Sequence, residues 1–428
     1  MKPIPYGHQS ISEAEIEAVV AALRSDFLTQ GPAVERFEQA FGAAVGAPCA
    51  VACSSGTAAL HLAALAAGLG PGDRVLVPPV TFVATANAAR YVGAEVGFAD
   101  VEGEHATLSV ATAETALVEA RRAGRPFKAV VTVDLAGHPC DQAGFGRLKD
   151  AYGLVWIEDA CHALGATWTA LSRGAKPAFG AAPGDGKGEA LPPSDRPDAG
   201  GQPWKVGEWP VPDLTVFSFH PVKHITTGEG GMVTTHLPRL AERVRSLRSH
   251  GITRRPGEFV FPEEGRDRDG QPNPWYYEAQ ALGFNYRLSD LQCALGLAQL
   301  ARLPGFLARR REIMARYRRE LAGLPGFRLL GEGPGVGHAW HLALARVDFA
   351  GRDTTRGRVM RQLLERGVAT QVHYVPLPMM PLYAGTAAMA DLPEALAYYR
   401  ETLTLPVFPA MTDEEVARVV AAVREVLG

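Results

Sequence analysis

The sequence predicts an α/β protein in which a large domain is followed by a smaller α+β domain. From Cys49 onward, short apolar runs alternate with helical stretches, the pattern of a sheet covered by helices. The chain has 428 residues and 47% hydrophobic content, whereas a single core stops growing at about 250–300 residues. We therefore expect a large domain at residues 1–250, with an insertion at 170–212, and a small domain at 251–428.

Charge and composition exclude several classes of protein. The formal charge of -3 gives no electrostatic reason to expect nucleic-acid binding. The N-terminus lacks an apolar signal region and no apolar run is long enough to span a bilayer, so we expect a soluble, cytoplasmic chain. An odd number of cysteines without metal-ligand spacing favours buried free thiols and no metal site: Cys49, Cys53, Cys140, Cys161 and Cys293.

The individual elements follow from periodicity and from capping signals. Ser12 with Glu15 is a capping-box pattern and predicts the first helix. The turn residues Gly31 and Pro32 set residues 27–30 as an extended arm. Further strands are predicted at 49–53, 74–79, 95–98, 129–133, 154–157, 214–219, 232–235, 340–347 and 369–373. Further helices are predicted at 33–45, 58–68, 81–94, 111–123, 142–152, 238–250, after Ser289, at 354–366 and after Thr412.

The stretch from Asp213 to Gly231 carries one lysine at the end of an apolar strand. Pro221 ends the strand just before Lys223, and three glycines follow in the loop. A lysine held against apolar surroundings has a lowered pKa and can act as an amine nucleophile. A surface lysine in a glycine turn is the alternative that the loop alone leaves open.

Two further features suggest a phosphate and a planar ring. The strand at 49–53 leads into Ser54, Ser55, Gly56 and Thr57 at a helix start, where free amides and the helix dipole favour an anion. Serine and glycine also begin helices for structural reasons alone. Phe82 stands at a strand-to-helix junction, where its ring would cover a planar ligand or pack in the core.

Asp159 follows four apolar residues, at the carboxyl end of a predicted strand. Open α/β sheets bind ligands at this edge, and a carboxylate there requires a cation or a hydrogen-bond donor. A helix N-cap is the alternative interpretation. Residues 170–212 are rich in Gly, Pro, Ala, Asp and Lys and predict a long mobile loop, and residues 254–274 form a second polar insertion. The basic run RRREIMARYRREL predicts a solvated helix face.

A nucleophilic lysine, a strand-end aspartate, a phosphate cradle and an aromatic plate are together the parts that hold pyridoxal 5′-phosphate (PLP). The sequence also resembles the DegT/DnrJ/EryC1/StrS sugar aminotransferases over nearly its whole length. The motifs that carry this resemblance, in order, are SDFLTQGP, SSGTAALHLA, TFVATANA, EDACHALGA, FSFHPVKHITTGEGG, GFNYRLSDLQCALGL and VHYVPLP. It implies the PLP-dependent transferase fold type I, like aspartate aminotransferase, with a large mixed-sheet PLP-binding domain.

The resemblance also implies residue roles. Lys223 would attach the cofactor, Asp159 would face its pyridine nitrogen, and Phe82 would stack on the ring. Gly56, Thr57 and Ser218 would hold the phosphate, Asn285 would reach the phosphate in the neighbouring subunit, and His162 would lie beside the ring. The implied substrate contacts are Tyr6, Thr29, Gln30, His220, Glu229 and Tyr374.

The implied reaction moves an amino group, from glutamate, to C4 of a UDP-linked 4-keto-6-deoxy-N-acetyl sugar of the pseudaminic acid pathway, in a homodimer with shared active sites. Another nucleotide-sugar 3- or 4-aminotransferase is the first alternative. A PLP-dependent sugar dehydratase, a lyase, is disfavoured because its relatives carry histidine in place of Lys223. A carrier with a degenerate site is disfavoured by the intact set of site residues, and a dinucleotide oxidoreductase by the missing fingerprint glycines.

Overall fold

The computed structural model describes residues 3–169 and 203–428. In this part of the chain the helices are α1 (Glu13–Leu23), α2 (Pro32–Val45), α3 (Gly56–Ala66), α4 (Val83–Tyr91), α5 (Val110–Arg122), α6 (Gln142–Tyr152), α7 (Pro238–Arg248), α8 (Asp290–Glu320), α9 (Arg356–Glu365), α10 (Pro393–Glu401) and α11 (Asp413–Leu427). The strands are β1 (Cys49–Cys53), β2 (Arg74–Val77), β3 (Glu95–Phe98), β4 (Ala129–Val133), β5 (Val155–Asp159), β6 (Thr167–Trp168), β7 (Trp204–Lys205), β8 (Leu214–Ser218), β9 (Gly231–Thr235), β10 (Ile252–Thr253), β11 (Glu278–Ala279), β12 (Phe327–Leu329), β13 (Val336–Gly337), β14 (Ala343–Val347) and β15 (Thr402–Leu405).

The large sheet has seven strands within the described residues, in the order β1-β9-β8-β5-β4-β2-β3. Strand β9 is antiparallel to both β1 and β8, whereas the pairs from β8 through β5, β4 and β2 to β3 are parallel. The sheet is therefore mixed, as the fold type requires. Because the parallel strands point the same way, their carboxyl ends meet at one edge of the sheet.

Capping signals in the sequence located several helix starts correctly. Ser12 and Glu15 form the capping box of α1, and Thr412 and Glu415 form that of α11. Ser289 caps α8 through a bond from the Gln292 amide. These local bonds satisfy amides that a helix start leaves free, which is why they can be read from short patterns.

A second sheet, β12-β14-β15, lies in the C-terminal part of the chain. Its core is formed by residues of α8, α9, α11, β14 and β15, and the N-terminal residue Ile4 packs into the same core. Ile4 also pairs with Val368 in a single bridge. The long helix α8 contributes Leu303 and Phe306 to a core shared with β8 and α2, and Ile313 and Met314 to the C-terminal core. The domain division at residue 250 stays a prediction.

Residues 203–212 are not the unstructured end of an insertion that we expected. Trp204 and Lys205 form β7, which pairs with β6, and Trp204 and Trp168 both pack edge-on against Trp209. This aromatic cluster, together with buried Val206 and Val211, gives the segment the apolar contacts that its composition did not suggest. The rest of the predicted loop, residues 170–202, lies outside the described residues.

Two expectations for the C-terminal part were wrong, and two elements there were not expected. Residues 369–373 make one isolated bridge, Gln371 with Thr404, instead of a strand. The basic run belongs to α8 and is not wholly solvated, because Arg310 is 0% exposed and donates to the carbonyls of Trp340, His341 and Val407. Helix α10 and strand β15 were not predicted.

None of the helices in residues 3–169 and 203–428 combines the length and apolar character needed to cross a membrane.

Candidate active site

The predicted site residues end or follow different strands, and they lie at the same edge of the large sheet. Gly56 begins α3 after β1, Phe82 precedes α4 after β2, and Asp159 and Ser218 are the last residues of β5 and β8. Lys223 follows in the turn between β8 and β9. The mixed sheet topology therefore gathers residues that are far apart in the sequence.

Lys223 is partly buried in this edge. Its backbone amide donates to the carbonyl of His220 at 2.8 Å, which fixes the turn after β8. Burial lowers the pKa of the Lys223 amine, while Cys161 and the nearby carboxylate of Asp159 act in the opposite direction. A lysine whose pKa is lowered is more often neutral, and only the neutral amine is a nucleophile.

Asp159 is 6% exposed and is held at both carboxylate oxygens. Its Oδ2 accepts from Thr85 Oγ1 at 2.7 Å, and its Oδ1 accepts from the Cys161 amide at 3.2 Å. Thr85 Oγ1 in turn lies 2.8 Å from Oγ1 of Thr81, which directly precedes the N-cap of α4. The carboxylate is thereby oriented as an acceptor that can face a protonated ring nitrogen. Thr85 was missed by the sequence analysis, although the i, i+4 threonines in TFVATANA were a visible signal.

The start of α3 has the form of an anion cradle. The Ser55 hydroxyl caps the helix by accepting from the Ala58 amide at 3.0 Å, and the amides of Gly56 and Thr57 belong to the first turn. A Cβ atom at Gly56 would lie 2.8 Å from Ser218 Cβ and 3.0 Å from its Oγ. Only glycine lets the helix start approach Ser218, so these residues fit a phosphate group.

Replacing Gly56 with alanine is expected to weaken PLP binding at least about fivefold, because overpacking of this kind costs about 1–3 kcal/mol. Titration of the cofactor absorbance into the apo protein measures this affinity. Gly257→Ala is the matched control, since a Cβ there meets nothing within 4 Å. Equal PLP affinity of Gly56→Ala and the control would remove Gly56 from the cradle.

An aromatic and polar wall stands beside Lys223 and Asp159. Phe82 is 55% exposed, so its ring face is open to a ligand, and its centroid is 6.2 Å from that of Tyr374. The Tyr374 hydroxyl lies 3.3 Å from His162 Nε2. His341, which the sequence analysis missed, packs on His162 with a centroid distance of 4.3 Å.

The remaining predicted contacts lie on several different segments of the chain. The ring of Tyr6 lies 5.1 Å from that of His373, next to Tyr374. His220 and Glu229 are exposed, one before and one after Lys223 in the segment between β8 and β9. Thr29, Gln30 and Asn285 lie on exposed segments, where Thr29 bridges Ser289 and Asn285 bridges Ser249. The roles of Thr29, Gln30 and Asn285 stay predictions.

Two buried carboxyl groups behind the site were also missed. Glu158 is bonded by Gln142 Nε2, and its Oε2 accepts from Thr215 Oγ1 at 2.8 Å. Asp134, at the end of β4, accepts from the Cys140 amide at 3.0 Å. Burial raises the pKa of both groups, and for Asp134 the charge of Glu158 raises the pKa further, to well above its usual range. Asp134 therefore holds its proton to a higher pH than an ordinary aspartate does.

This proton makes stability depend on pH. The folded state holds it more tightly than the unfolded state, so its stabilisation is full below the ordinary aspartate pKa of about 3.9 and is lost as pH rises through the raised folded pKa of Asp134. Between about pH 5 and pH 8, we expect Asp134→Asn to lose less free energy of unfolding than wild type, by about 1.4 kcal/mol for each pH unit over which folded Asp134 keeps its proton. Urea unfolding at both pH values measures this, with exposed Asp269→Asn as control. Parallel pH profiles of wild type and Asp134→Asn would contradict the raised pKa of Asp134.

Comparisons with known proteins agree with this geometry. The model of the DegT/DnrJ/EryC1/StrS aminotransferase family matches residues 9–424. The spore coat polysaccharide biosynthesis protein SpsC of Bacillus subtilis (strain 168) is 34% identical over 427 residues, which are 99% of this chain and 97% of that protein.

Solved structures show the same fold. PseC of Helicobacter pylori, an aminotransferase involved in the biosynthesis of pseudoaminic acid, has a TM-score of 0.81 at 26% identity, covering 100% of this chain and 99% of that chain. Spr1654 of Streptococcus pneumoniae in its PLP form has a TM-score of 0.78 at 27% identity, covering 100% of both chains. On its sequence, its mixed sheet and its match over residues 9–424, the chain belongs to the DegT/DnrJ/EryC1/StrS family of PLP-dependent sugar aminotransferases.

Proposed function

We propose that the protein transfers an amino group from glutamate to C4 of a UDP-linked 4-keto-6-deoxy-N-acetyl sugar, in the manner of pseudaminic acid biosynthesis. The observation that carries the proposal is the juxtaposition of Lys223, with its lowered pKa, and Asp159 at the edge that also bears the Gly56–Ser218 cradle. Similarity to PseC and to SpsC supports a sugar as the amino acceptor.

Each residue would have a distinct task. Bound PLP supplies an electron sink for the carbon that gains or loses the amino group. Asp159, oriented by Thr85, would hold a proton on the ring nitrogen. Lys223 would anchor the cofactor and then, in each half-reaction, carry a proton between the cofactor carbon and the substrate carbon. Phe82 would cover the ring.

The phosphate would be held by Gly56, Thr57 and Ser218, and His162 would lie beside the ring. We propose that the chain works in the cytoplasm as a homodimer, in which Asn285 reaches the phosphate bound by the partner chain. The exposed apolar residues Phe27 and Leu28 of the N-terminal arm support a second chain packing there. Thr29, Gln30, Tyr6, Tyr374, His220 and Glu229 would contact the nucleotide sugar.

The experiment is a substrate panel. Purified protein is incubated with PLP, glutamate and a set of 4-keto and 3-keto nucleotide sugars, and the products are identified by mass spectrometry and NMR. The proposal predicts a 4-amino sugar from the UDP-linked 4-keto-6-deoxy substrate. Amination of a 3-keto sugar alone would overturn the substrate, and loss of water without amine transfer would indicate a lyase.

A further inference from the structure

His162 and Tyr374 form one hydrogen-bonded unit, although they come from distant parts of the chain. His162 lies in the turn after β5 and is 5% exposed. Tyr374 lies in the segment between α9 and α10 and is partly buried. The 3.3 Å contact between His162 Nε2 and the Tyr374 hydroxyl joins them. The direction of this hydrogen bond decides what the hydroxyl can do.

The other ring nitrogen fixes that direction. The amide of Ala136 donates to His162 Nδ1 at 3.3 Å, so Nδ1 carries no hydrogen. Burial, and then the charge of Lys223, lower the pKa of His162 well below its usual range, so the ring is neutral. A neutral imidazole has one N–H, which must therefore be at Nε2. His162 is the donor and the Tyr374 oxygen is the acceptor.

The backbone holds His162 in this orientation. Ala136 adopts a left-handed conformation with φ of 60°, and its carbonyl accepts from the His341 amide at 2.8 Å. The His341 ring covers the His162 ring. The Ala136 amide and the His341 ring are therefore linked through a backbone hydrogen bond. Because both contact the His162 ring, that ring has little freedom to turn.

The Tyr374 hydroxyl keeps its own hydrogen for another acceptor. Burial raises the pKa of Tyr374 well above its usual range, so the phenol stays protonated. Across residues 3–169 and 203–428, His162 is the hydrogen-bond partner of this hydroxyl. The centroid of the Tyr374 ring lies 6.2 Å from that of the exposed Phe82 ring, so the hydroxyl belongs to the same wall of the site.

We propose that the Tyr374 hydroxyl donates a hydrogen bond to the keto oxygen of the sugar carbon that receives the amino group, and that His162 is the positioning residue that directs it. This inference rests on the proposed function and adds a role for two residues in the sugar half of the reaction. It assigns Tyr374 to the sugar substrate and not to glutamate.

The test compares the two half-reactions. Tyr374→Phe is expected to lower kcat/KM for the keto sugar about tenfold, the effect of one lost hydrogen bond. The kcat/KM of the glutamate half-reaction should change less than about twofold. A tenfold loss with the keto sugar is easily distinguished from so small a change. Affinity of the PLP-loaded protein for the keto sugar, measured by calorimetry without glutamate, should fall in parallel. Tyr152→Phe, in α6, is the matched control.

A double-mutant cycle tests the positioning role. His162→Leu should reproduce the effect of Tyr374→Phe, and the double variant should be no worse than either single variant. His162→Gln should recover most of the loss, since its amide can accept from Ala136 and donate to Tyr374. Losses that multiply in the double variant would overturn the role of His162.

The outcomes separate the two proposals. If wild type aminates the keto sugar and Tyr374→Phe matches it in kcat/KM and affinity, the inference is overturned and the proposed function stands. If wild type aminates no keto sugar while PLP binds normally, the proposed function itself is overturned.

Discussion

Lys223→Ala is expected to abolish amine transfer, with a fall in kcat of at least about a thousandfold. The same amine would anchor the cofactor and carry the proton between the cofactor carbon and the substrate carbon. Loss of a residue with both tasks lowers the rate at least as much as loss of one general acid or base, which contributes about 10²- to 10⁴-fold. Among the residues that the structure describes, no other lysine at the site has an amine whose pKa is lowered by burial.

The assay follows conversion of the keto sugar with glutamate and PLP in excess, so that weaker cofactor binding alone does not limit the rate. Lys128→Ala is the matched control. Lys128 is exposed, directly precedes β4 at the opposite edge of the same sheet, and pairs with Asp73 at 2.8 Å. A Lys223→Ala variant that keeps more than about a tenth of wild-type kcat would exclude Lys223 as the proton carrier.

Asp159→Asn is expected to lower kcat about a hundredfold or more. Asparagine keeps the size of the side chain and one oxygen that can accept from Thr85, so the fold should be retained. It lacks the negative charge that would keep the ring nitrogen protonated, and removal of one positioned charge or donor at a reacting centre costs about 10² to 10³.

The comparison variant is Asp134→Asn, which replaces a nearby buried carboxyl group whose pKa burial raises well above its usual range. It should keep kcat within about threefold of wild type, because it removes no charge that faces the cofactor. If Asp159→Asn and Asp134→Asn have equal kcat values, the charge of Asp159 has no special role in catalysis.

Much of the large domain could be predicted because its signals are local. The apolar runs and their polar ends defined β1, β4, β5 and β8, and capping residues defined α1 and α8. Asp159 and Lys223 were found because each follows a buried strand, where ligands bind in open α/β sheets. Gly56 was found because it opens a helix directly after a strand.

The rest depends on contacts between distant segments. His341 lies on His162 only because the C-terminal part folds against the turn after β5, and nothing in either local sequence reports this contact. Asp134 and Glu158 become a pair because β4 and β5 are neighbours. Residues 369–373 were expected to form a strand, but they meet Thr404 through one bridge only.

The central claim is that Lys223 holds PLP covalently within this edge of the sheet. The most direct measurement reduces the PLP-loaded protein with borohydride, digests it and identifies the labelled peptide by mass spectrometry. The account predicts a single pyridoxyl group, on Lys223. Label on another lysine, with Lys223 unmodified, would contradict it.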